Sequence, residues 1–284
     1  MKQMVSMVCL CLLLGLQAMA QPDTADVRRL TARLNTMKWQ MQRSGTGSYD
    51  MAFYLAALNQ KDSAFYYLHR WFEGGGRSPD VLGMYPFRKW QHTPEWKAFE
   101  KMVTDSFMKQ SKSMTNPGLT LQLLVAYGAD QSVRFFGIFV RNDPRFRRDC
   151  AVIDSQHIAL MKRIIGKYGY PGISMVGREA SHSAFLLCQH ADADLAFQKK
   201  VLRLMEAQPG NVANPDIAYL TDRIMVAEQG QQKYGTQMCA RLTPCPIVDS
   251  ARVDQRRKAM GMTTLKEYLD SGRMMYGGED HTAH

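Results

Sequence analysis

The stretch YLTDRIMVAEQGQQKYGTQ, residues 219–237, joins an apolar helix to a loop that is dense in hydrogen-bonding groups. Two adjacent opposite charges, Asp222 and Arg223, lie in the helical part. Upstream, Asn214-Pro215 predicts the start of the helix, with Asn as the N-cap and Pro at the first helical position. No other part of the chain places so many specific polar groups beside an apolar helix, so we expect the C-terminal half to be organised around this stretch.

The helix is apolar on most of its sides, with Ile217, Leu220 and Ile224 on one stripe. Such a helix is expected to be buried, so Asp222 and Arg223 should be at least partly desolvated. Buried charges must be paired and hydrogen-bonded. Two interpretations remain open: a structural ion pair that holds the following loop, or a ligand-facing pair in the wall of a pocket.

The first twenty residues have the pattern of a secretory signal. Lys2 precedes an apolar run from Met4 to Leu16, and Ala18-Met19-Ala20 matches a cleavage site. Cleavage is therefore predicted between Ala20 and Gln21, and the mature protein is expected to be exported to the periplasm or the exterior. No later apolar run approaches the length of a membrane span.

Four cysteines remain after the predicted cleavage. Export permits disulfides, and four cysteines allow three pairings that the sequence does not distinguish. Cys239 and Cys245 flank a short Pro-containing turn and could form a bridge if the flanking strands pair. The C-x-x-C spacing of zinc sites is absent, and the predicted site contains no metal or cofactor.

Charge gives little support for nucleic acid as a partner. Lys and Arg number 36 against 26 Asp and Glu, for a formal net charge of +10. The basic residues are scattered except in RNDPRFRR, residues 141–148. No basic stripe alternates with stacking aromatic residues, as a nucleic-acid surface requires.

The first half, residues 21–112, is predicted to be a helical module. An amphipathic helix is expected over 23–42, followed by two short helices over 48–59 and 62–72. This pair resembles a single tetratricopeptide-type helical hairpin. The matching small or apolar positions are Ala52, Ala64 and Leu68.

The aromatic residues of the hairpin are expected either to form its core or to line a groove that binds a peptide or protein partner. A polar segment, 111–118, is the predicted domain boundary.

The second half resembles the uncharacterised bacterial domain-of-unknown-function family numbered 6624. The resemblance covers roughly the last half of the chain and implies no reaction. It is carried by Asp130-Gln131-x-x-Arg134, Asp154, Gly169-x-Pro171, Val176-Gly177, Gln189-His190-Ala191-Asp192, Ala218-Tyr219-Leu220-x-Asp222-Arg223, Gly230-x-Gln232-x-Tyr234-Gly235-Thr236-Gln237, Pro246-Ile247 and Arg256-Arg257.

Residues 119–272 are predicted to form a mainly α-helical domain with one small β-hairpin, and residues 273–284 a loose tail. Helices are expected over 151–167 and 178–190, and a short extended segment over Ile173–Val176. A strand over 236–242 should turn at 243–246 and return through Ile247-Val248. The fold class is therefore mainly α, with the tetratricopeptide-like module first.

The helix over 178–190 ends at His190, beside Asp192, which is expected to cap the following helix. Protonated His190 would be stabilised by the helix dipole, and this structural role competes with that of a general acid or base. Glu179-x-x-His182 has the spacing of two metal ligands on one helix, but such sites use two copies and only one is present.

Two hypotheses of function follow. The first is an enzyme or small-ligand binder whose site takes a small polar or anionic ligand. His190 and Asp222 are its candidate catalytic residues, and its candidate ligand-binding residues are Arg223, Gln232, Tyr234, Gln237, Gln189 and Arg134. No nucleophile elbow, Walker loop or H-E-x-x-H motif is present to name a reaction. The alternative is a non-catalytic exported interaction or scaffold protein that uses the helical hairpin.

Overall fold

The structure is a computed structural model that describes residues 23–44, 47–137, 139–140, 143–240 and 243–276. Helices account for most of these residues, and a single pair of short strands is found among them. The predicted fold class, mainly α with a small β-hairpin, is confirmed. The predicted signal sequence lies outside the described residues. Within them, no helix combines the length and apolarity needed to cross a bilayer.

The helices and strands follow one another in chain order. The helices are α1 (Thr24–Ser44), α2 (Ser48–Ala57), α3 (Lys61–Glu73), α4 (Pro94–Gln110), α5 (Pro117–Gly137), α6 (Pro144–Tyr168), α7 (Ile173–Val176), α8 (Arg178–Gln189), α9 (Leu195–Glu206), α10 (Asn214–Gln229), α11 (Val253–Ala259) and α12 (Leu265–Tyr276). The strands are β1 (Met238–Ala240) and β2 (Thr243–Pro244), and 3-10 segments span Pro79–Gly83, Tyr85–Trp90 and Ser250–Arg252.

The chain divides into two compact units. The N-terminal unit comprises the described residues up to Arg163 together with Met175–Leu187, and the C-terminal unit comprises Ile164–Ser174 and the chain from Cys188. This division differs from the boundary expected at 111–118. The reason is that α5, which begins within that segment at Pro117, packs against the 3-10 segment Pro79–Gly83.

The core of the N-terminal unit is aromatic and starts from the α2–α3 hairpin. Ala52 and Ala64 are fully buried, and small side chains let two helices approach closely. Phe65 lies edge-on to Trp96 with ring centroids 6.4 Å apart, and both side chains are buried. The hairpin is present as predicted, and its assignment to the tetratricopeptide class stays a prediction.

Two glycines set the distance between the 3-10 segment Pro79–Gly83 and α5. A Cβ on Gly128 would lie 1.9 Å from the carbonyl oxygen of Asp80, and one on Gly83 would lie 2.1 Å from the carbonyl oxygen of Val125. Both obstacles are backbone atoms, so a side chain at either position would force the two elements apart.

The C-terminal unit contains α9 packed on α10, followed by a loop and the β1–β2 hairpin. Asp194 caps α9 by accepting a hydrogen bond from the backbone N–H of Phe197 at 2.9 Å. The Cys239–Cys245 disulfide closes the hairpin with a Cα–Cα separation of 4.7 Å. A capping box starts α12, since the backbone N–H of Thr264 donates to Glu267 and the backbone N–H of Glu267 donates to Thr264 Oγ1.

Several local predictions were wrong. Ile173–Val176 is a short helix rather than an extended segment, and Ala213, not Asn214, precedes the first residue of α10. Thr243–Pro244 belongs to β2 rather than to the turn, and part of the predicted strand, residues 241–242, lies outside the described residues.

The last helix overlaps the predicted loose tail, residues 273–284. It extends to Tyr276, four residues into the predicted loose tail, and residues 277–284 lie outside the description.

Candidate functional site

The carboxylate of Asp222 lies in the interior of the C-terminal unit with no exposed surface. It accepts hydrogen bonds from the backbone N–H groups of Lys233 at 2.7 Å, Tyr234 at 2.9 Å and Thr236 at 3.0 Å. The hydroxyl of Thr236 donates a further bond at 2.9 Å. These donors all belong to one loop, so Asp222 holds that loop against α10.

Gln232 closes the same loop from the other end. Its Nε2 donates to the carbonyl oxygens of Gln237 at 2.8 Å and Cys245 at 2.9 Å, while its Oε1 accepts from the N–H of Gln237 at 2.8 Å. The side chain is fully buried. Its donors and acceptor are therefore used by backbone groups of the loop and of the hairpin.

Arg223 does not pair with Asp222, and the predicted ion pair between these neighbours was wrong. Consecutive helical residues point about 100° apart, so their side chains do not face each other. Arg223 instead binds Asp192 through Nε to Oδ1 at 2.7 Å and Nη2 to Oδ2 at 2.5 Å. Gln237 Oε1 accepts a third bond at 3.3 Å.

The Asp192–Arg223 pair is partly exposed, with 60 % of the Asp192 side chain and 27 % of the Arg223 side chain open to solvent. Burial raises the pKa of Asp192, but the hydrogen bonds and charge of Arg223 outweigh it, and the net pKa lies below its ordinary value. Asp192 was expected to cap α9. Asp194 performs that role instead, which leaves Asp192 available to Arg223.

Tyr234 is buried, and its backbone carbonyl accepts a hydrogen bond from Arg257 Nη1 at 2.8 Å. Arg257 is itself 1 % exposed and also donates to the carbonyl of Thr263 at 2.6 Å. Arg256 donates to the carbonyl of Lys233 at 2.9 Å. Two arginines that were not among the predicted site residues thus bind backbone carbonyls of the loop.

Gln189 and His190 lie at the end of α8 in the same unit. The side chain of Gln189 is buried, its Oε1 has no hydrogen-bond partner among the described residues, and its backbone carbonyl accepts from Gln198 Nε2 at 2.8 Å. His190 lies close enough to Asp192 for its charge to contribute to the lowered pKa of that carboxyl. The carboxylate of Asp222, the other candidate catalytic residue, receives its hydrogen bonds from Lys233, Tyr234 and Thr236.

Arg134 belongs to a second cluster, in the N-terminal unit. Its Nη2 binds Asp154 Oδ1 at 2.8 Å and lies 3.4 Å from Asp130 Oδ1. Gln131 Nε2 donates to Asp130 Oδ2 at 2.7 Å. His157 Nδ1 lies 3.8 Å from Asp130 Oδ1. Two motifs that are 20 residues apart in the chain therefore meet around the fully buried Asp130.

An open cleft lies beside this second cluster, between the 3-10 segments and helices α5 and α6. Its empty space together with the solvent at its open mouth is about 720 Å³. His157 connects the cleft to the cluster, because it lines the cleft and approaches Asp130. The lining residues are Gly83, Tyr85, Arg88, Gln91, Gln122, Val125, Ala126, Ala129, Ile153, Gln156, His157 and Leu160.

One wall of the cleft is fixed by Tyr85. Its hydroxyl donates to Asp149 at 2.5 Å, and its backbone N–H donates to Ser132 Oγ at 2.8 Å. His157 also lines the cleft; it is 8 % exposed, and its Nδ1 has no hydrogen-bond partner among the described residues. A mostly apolar hollow with a few convergent polar groups is the usual form of a small-molecule site.

The model of the family of unknown function DUF6624 matches residues 117–279, more than half of the chain. The protein belongs to this family. No curated protein and no solved structure matches the chain. The suspected family is thus confirmed, and the match spans both the Asp222 loop and most of the cleft lining.

The residues predicted as one site in this DUF6624 protein occupy two clusters. Asp222, Arg223, Gln232, Tyr234 and Gln237 come together around the loop, but they do so largely by binding backbone groups. The cleft was not predicted from the sequence. Its signal was the spacing of Gln122, Val125, Ala126 and Ala129 on one face of α5, and of Ile153, Gln156, His157 and Leu160 on one face of α6.

Three further findings concern metal and thiol chemistry. Among the described residues, no three His, Cys, Asp or Glu side chains converge to hold a metal ion. Burial raises the pKa of the Cys150 thiol to about 11, with Asp154, Asp130 and Asp149 adding to the effect and Arg134 opposing it. Burial also raises the pKa of Cys188. Both thiols are therefore poor nucleophiles near neutral pH.

Proposed function

We propose that this protein is an exported small-ligand-binding protein whose ligand occupies the cleft between the 3-10 segments, α5 and α6. The observation that carries this proposal is the open, mostly apolar cleft whose lining includes the side chains of Arg88 and His157. A few polar side chains on an otherwise apolar wall would orient a bound small molecule.

The proposal moves the site from the loop around Asp222 to the cleft. The carboxylate of Asp222 is closed to solvent and saturated by four backbone or hydroxyl donors. Such a group supports the fold rather than a proton transfer, because general acid–base work requires access to the substrate. Arg134 is then a residue that supports the site without lining it, because it binds Asp130, which lies beside His157.

Filling the cleft tests the proposal. In the mature protein, Gln122→Trp places a large side chain in the cleft, and we expect it to weaken binding of the fluorescent apolar anion 1-anilinonaphthalene-8-sulfonate at least tenfold. The matched control is Gln110→Trp, at an exposed position at the end of α4. Fluorescence titration measures the affinity, and circular dichroism checks the fold. Equal affinity in the two variants would contradict the proposal.

Export rests on the N-terminal sequence pattern, and the N-terminus of the purified protein tests it directly. Mass spectrometry of protein from an intact cell envelope or culture medium should find a chain that begins at Gln21. A full-length chain that begins at Met1 and remains in the cytoplasm would contradict it.

The alternative, an interaction protein that uses the helical hairpin, has less support. Phe53, Tyr54 and Phe65 are buried in the core of the N-terminal unit, so they do not line an exposed groove. Tyr66 is exposed at 55 %, but a single exposed aromatic side chain is ordinary on a protein surface.

A further inference from the structure

We infer that the cleft selects a small organic acid: a molecule with an apolar body and a single carboxylate head. This inference rests on the proposed function and specifies its ligand. Three observations lead to it, concerning the charges at the cleft, the imidazole at its wall and the apolar surface between them.

Among the residues that line the cleft, Arg88 is the one that carries a permanent charge, and that charge is positive. Arg88 is a lining residue, and its guanidinium has no ion-pair partner among the residues that the structure describes. The other polar lining side chains are amides, a tyrosine and His157, and no lining residue is a carboxylate. A cleft with an uncompensated cation and no acidic side chain favours an anion over a cation.

The acidic residues near His157 already have partners. Asp130 is contacted by Arg134 and by the amide of Gln131, and Asp154 is bound by Arg134. The imidazole of His157 makes no hydrogen bond to Asp130, because Nδ1 lies 3.8 Å from the nearer oxygen. Nδ1 is closed to solvent on the side of Asp130, so the other ring nitrogen of His157, Nε2, is the one that can donate to a carboxylate head.

The remaining lining gives the ligand its apolar body. Val125 and Ala126 on α5 and Ile153 and Leu160 on α6 present aliphatic surface to the cleft. Arg88 and His157 supply two hydrogen-bonding groups on an otherwise apolar wall. Since burying a methylene group contributes a roughly constant free energy, each added methylene in a fatty acid should tighten binding about three- to fourfold.

Four probes distinguish the contribution of the ligand's charged head to the affinity from that of its apolar body. They are octanoate, 1-octanol, octylamine and acetate. Isothermal titration calorimetry on the mature protein should show octanoate binding at least tenfold more tightly than 1-octanol. Octylamine should bind more weakly than the alcohol, and acetate should give no measurable heat. Affinity should also rise along the series butanoate, hexanoate and octanoate.

Two substitutions test whether Arg88 and His157 cause the preference for octanoate over 1-octanol. Arg88→Met and His157→Phe each keep an apolar or aromatic side chain at the wall while removing a donor. Each should reduce the octanoate-to-octanol ratio of affinities at least threefold. Arg178→Met is the matched control, since Arg178 is exposed at the start of α8 and does not line the cleft; its ratio should equal that of the wild type.

Three results would overturn the inference. Equal affinity for octanoate and 1-octanol, or tighter binding of octylamine, would show an apolar site without anion preference; the proposed function would stand. An unchanged octanoate-to-octanol ratio of affinities in both variants would show that neither Arg88 nor His157 binds the carboxylate head. If none of the eight-carbon probes binds or displaces the fluorescent anion, the proposed function fails as well.

Discussion

At the scale of single residues, the role of Asp222 follows from where its hydrogen-bond donors lie. Adjacent opposite charges in the sequence suggested a pair, but neighbours on a helix do not face each other. The buried location of Asp222 was predictable from the apolar faces around it. Its partners were not, because they are backbone N–H groups of residues 233–236 and no side-chain pattern encodes them.

Asp222 and Arg223 should therefore differ sharply in their contribution to stability. Asp222→Asn places an amide N–H against backbone N–H donors and should lower the free energy of unfolding by about 3 kcal/mol or more. Arg223→Met, at a half-exposed pair, should lower it by about 1 kcal/mol or less. Urea unfolding of the mature protein measures both. The assignment of Asp222 would be wrong if the two losses were similar.

The Asp192–Arg223 pair should make the stability of the protein depend on pH, with a sign that follows from the pKa of Asp192. The pKa of Asp192 lies below its ordinary value of 3.8 in the folded protein. Between the two pKa values the unfolded chain binds more protons, so this contribution to stability is present above pH 3.8 and is lost as the pH falls through the folded pKa. Because the pair is partly exposed, the contribution should be about 1 kcal/mol or less.

Comparing the melting temperatures of the wild type and Asp192→Asn from pH 6 to pH 2 tests this sign. The wild type should be the more stable at pH 6, and the difference should shrink at the acidic end. A difference that grows as the pH falls would contradict the assignment.

At the scale of elements, helices were predictable where apolar residues recur at helical spacing, as in α1, α3 and α10. Short pieces such as Ile173–Val176 were not, because four residues carry no period that separates a helix from a strand. The contact between the 3-10 segment Pro79–Gly83 and α5 was also hidden. It depends on two glycines that are far apart in the sequence and meet only in the folded chain.

A Gly→Ala substitution should have opposite effects on stability at Gly128 in α5 and at Gly166 in α6. Gly128→Ala should destabilise the protein by about 2 kcal/mol, because the new Cβ meets the backbone of Asp80. Gly166→Ala is the matched control within α6, where nothing lies within 4 Å of the added atom. It should stabilise by up to about 1 kcal/mol through helix propensity. Thermal unfolding measures both, and equal effects would contradict the close approach.

At the scale of the whole molecule, the family and the fold class could be predicted from the sequence, but the candidate site could not. The resemblance used residues from many separate motifs, and some of those residues meet around Asp130 and around Asp222. The cleft, however, takes its walls from residues 83–91, 122–129 and 153–160. Only long-range packing brings such segments together, so no local pattern could define the hollow between them.

The loop over 230–237 illustrates what buried polar groups contribute beyond a binding site. It has almost no regular secondary structure, yet the amides of Lys233, Tyr234, Thr236 and Gln237 all donate to buried side chains. In heavy water these amides should keep their protium about as long as those in the middle of α10. The amides of an ordinary surface loop, in contrast, would exchange within seconds.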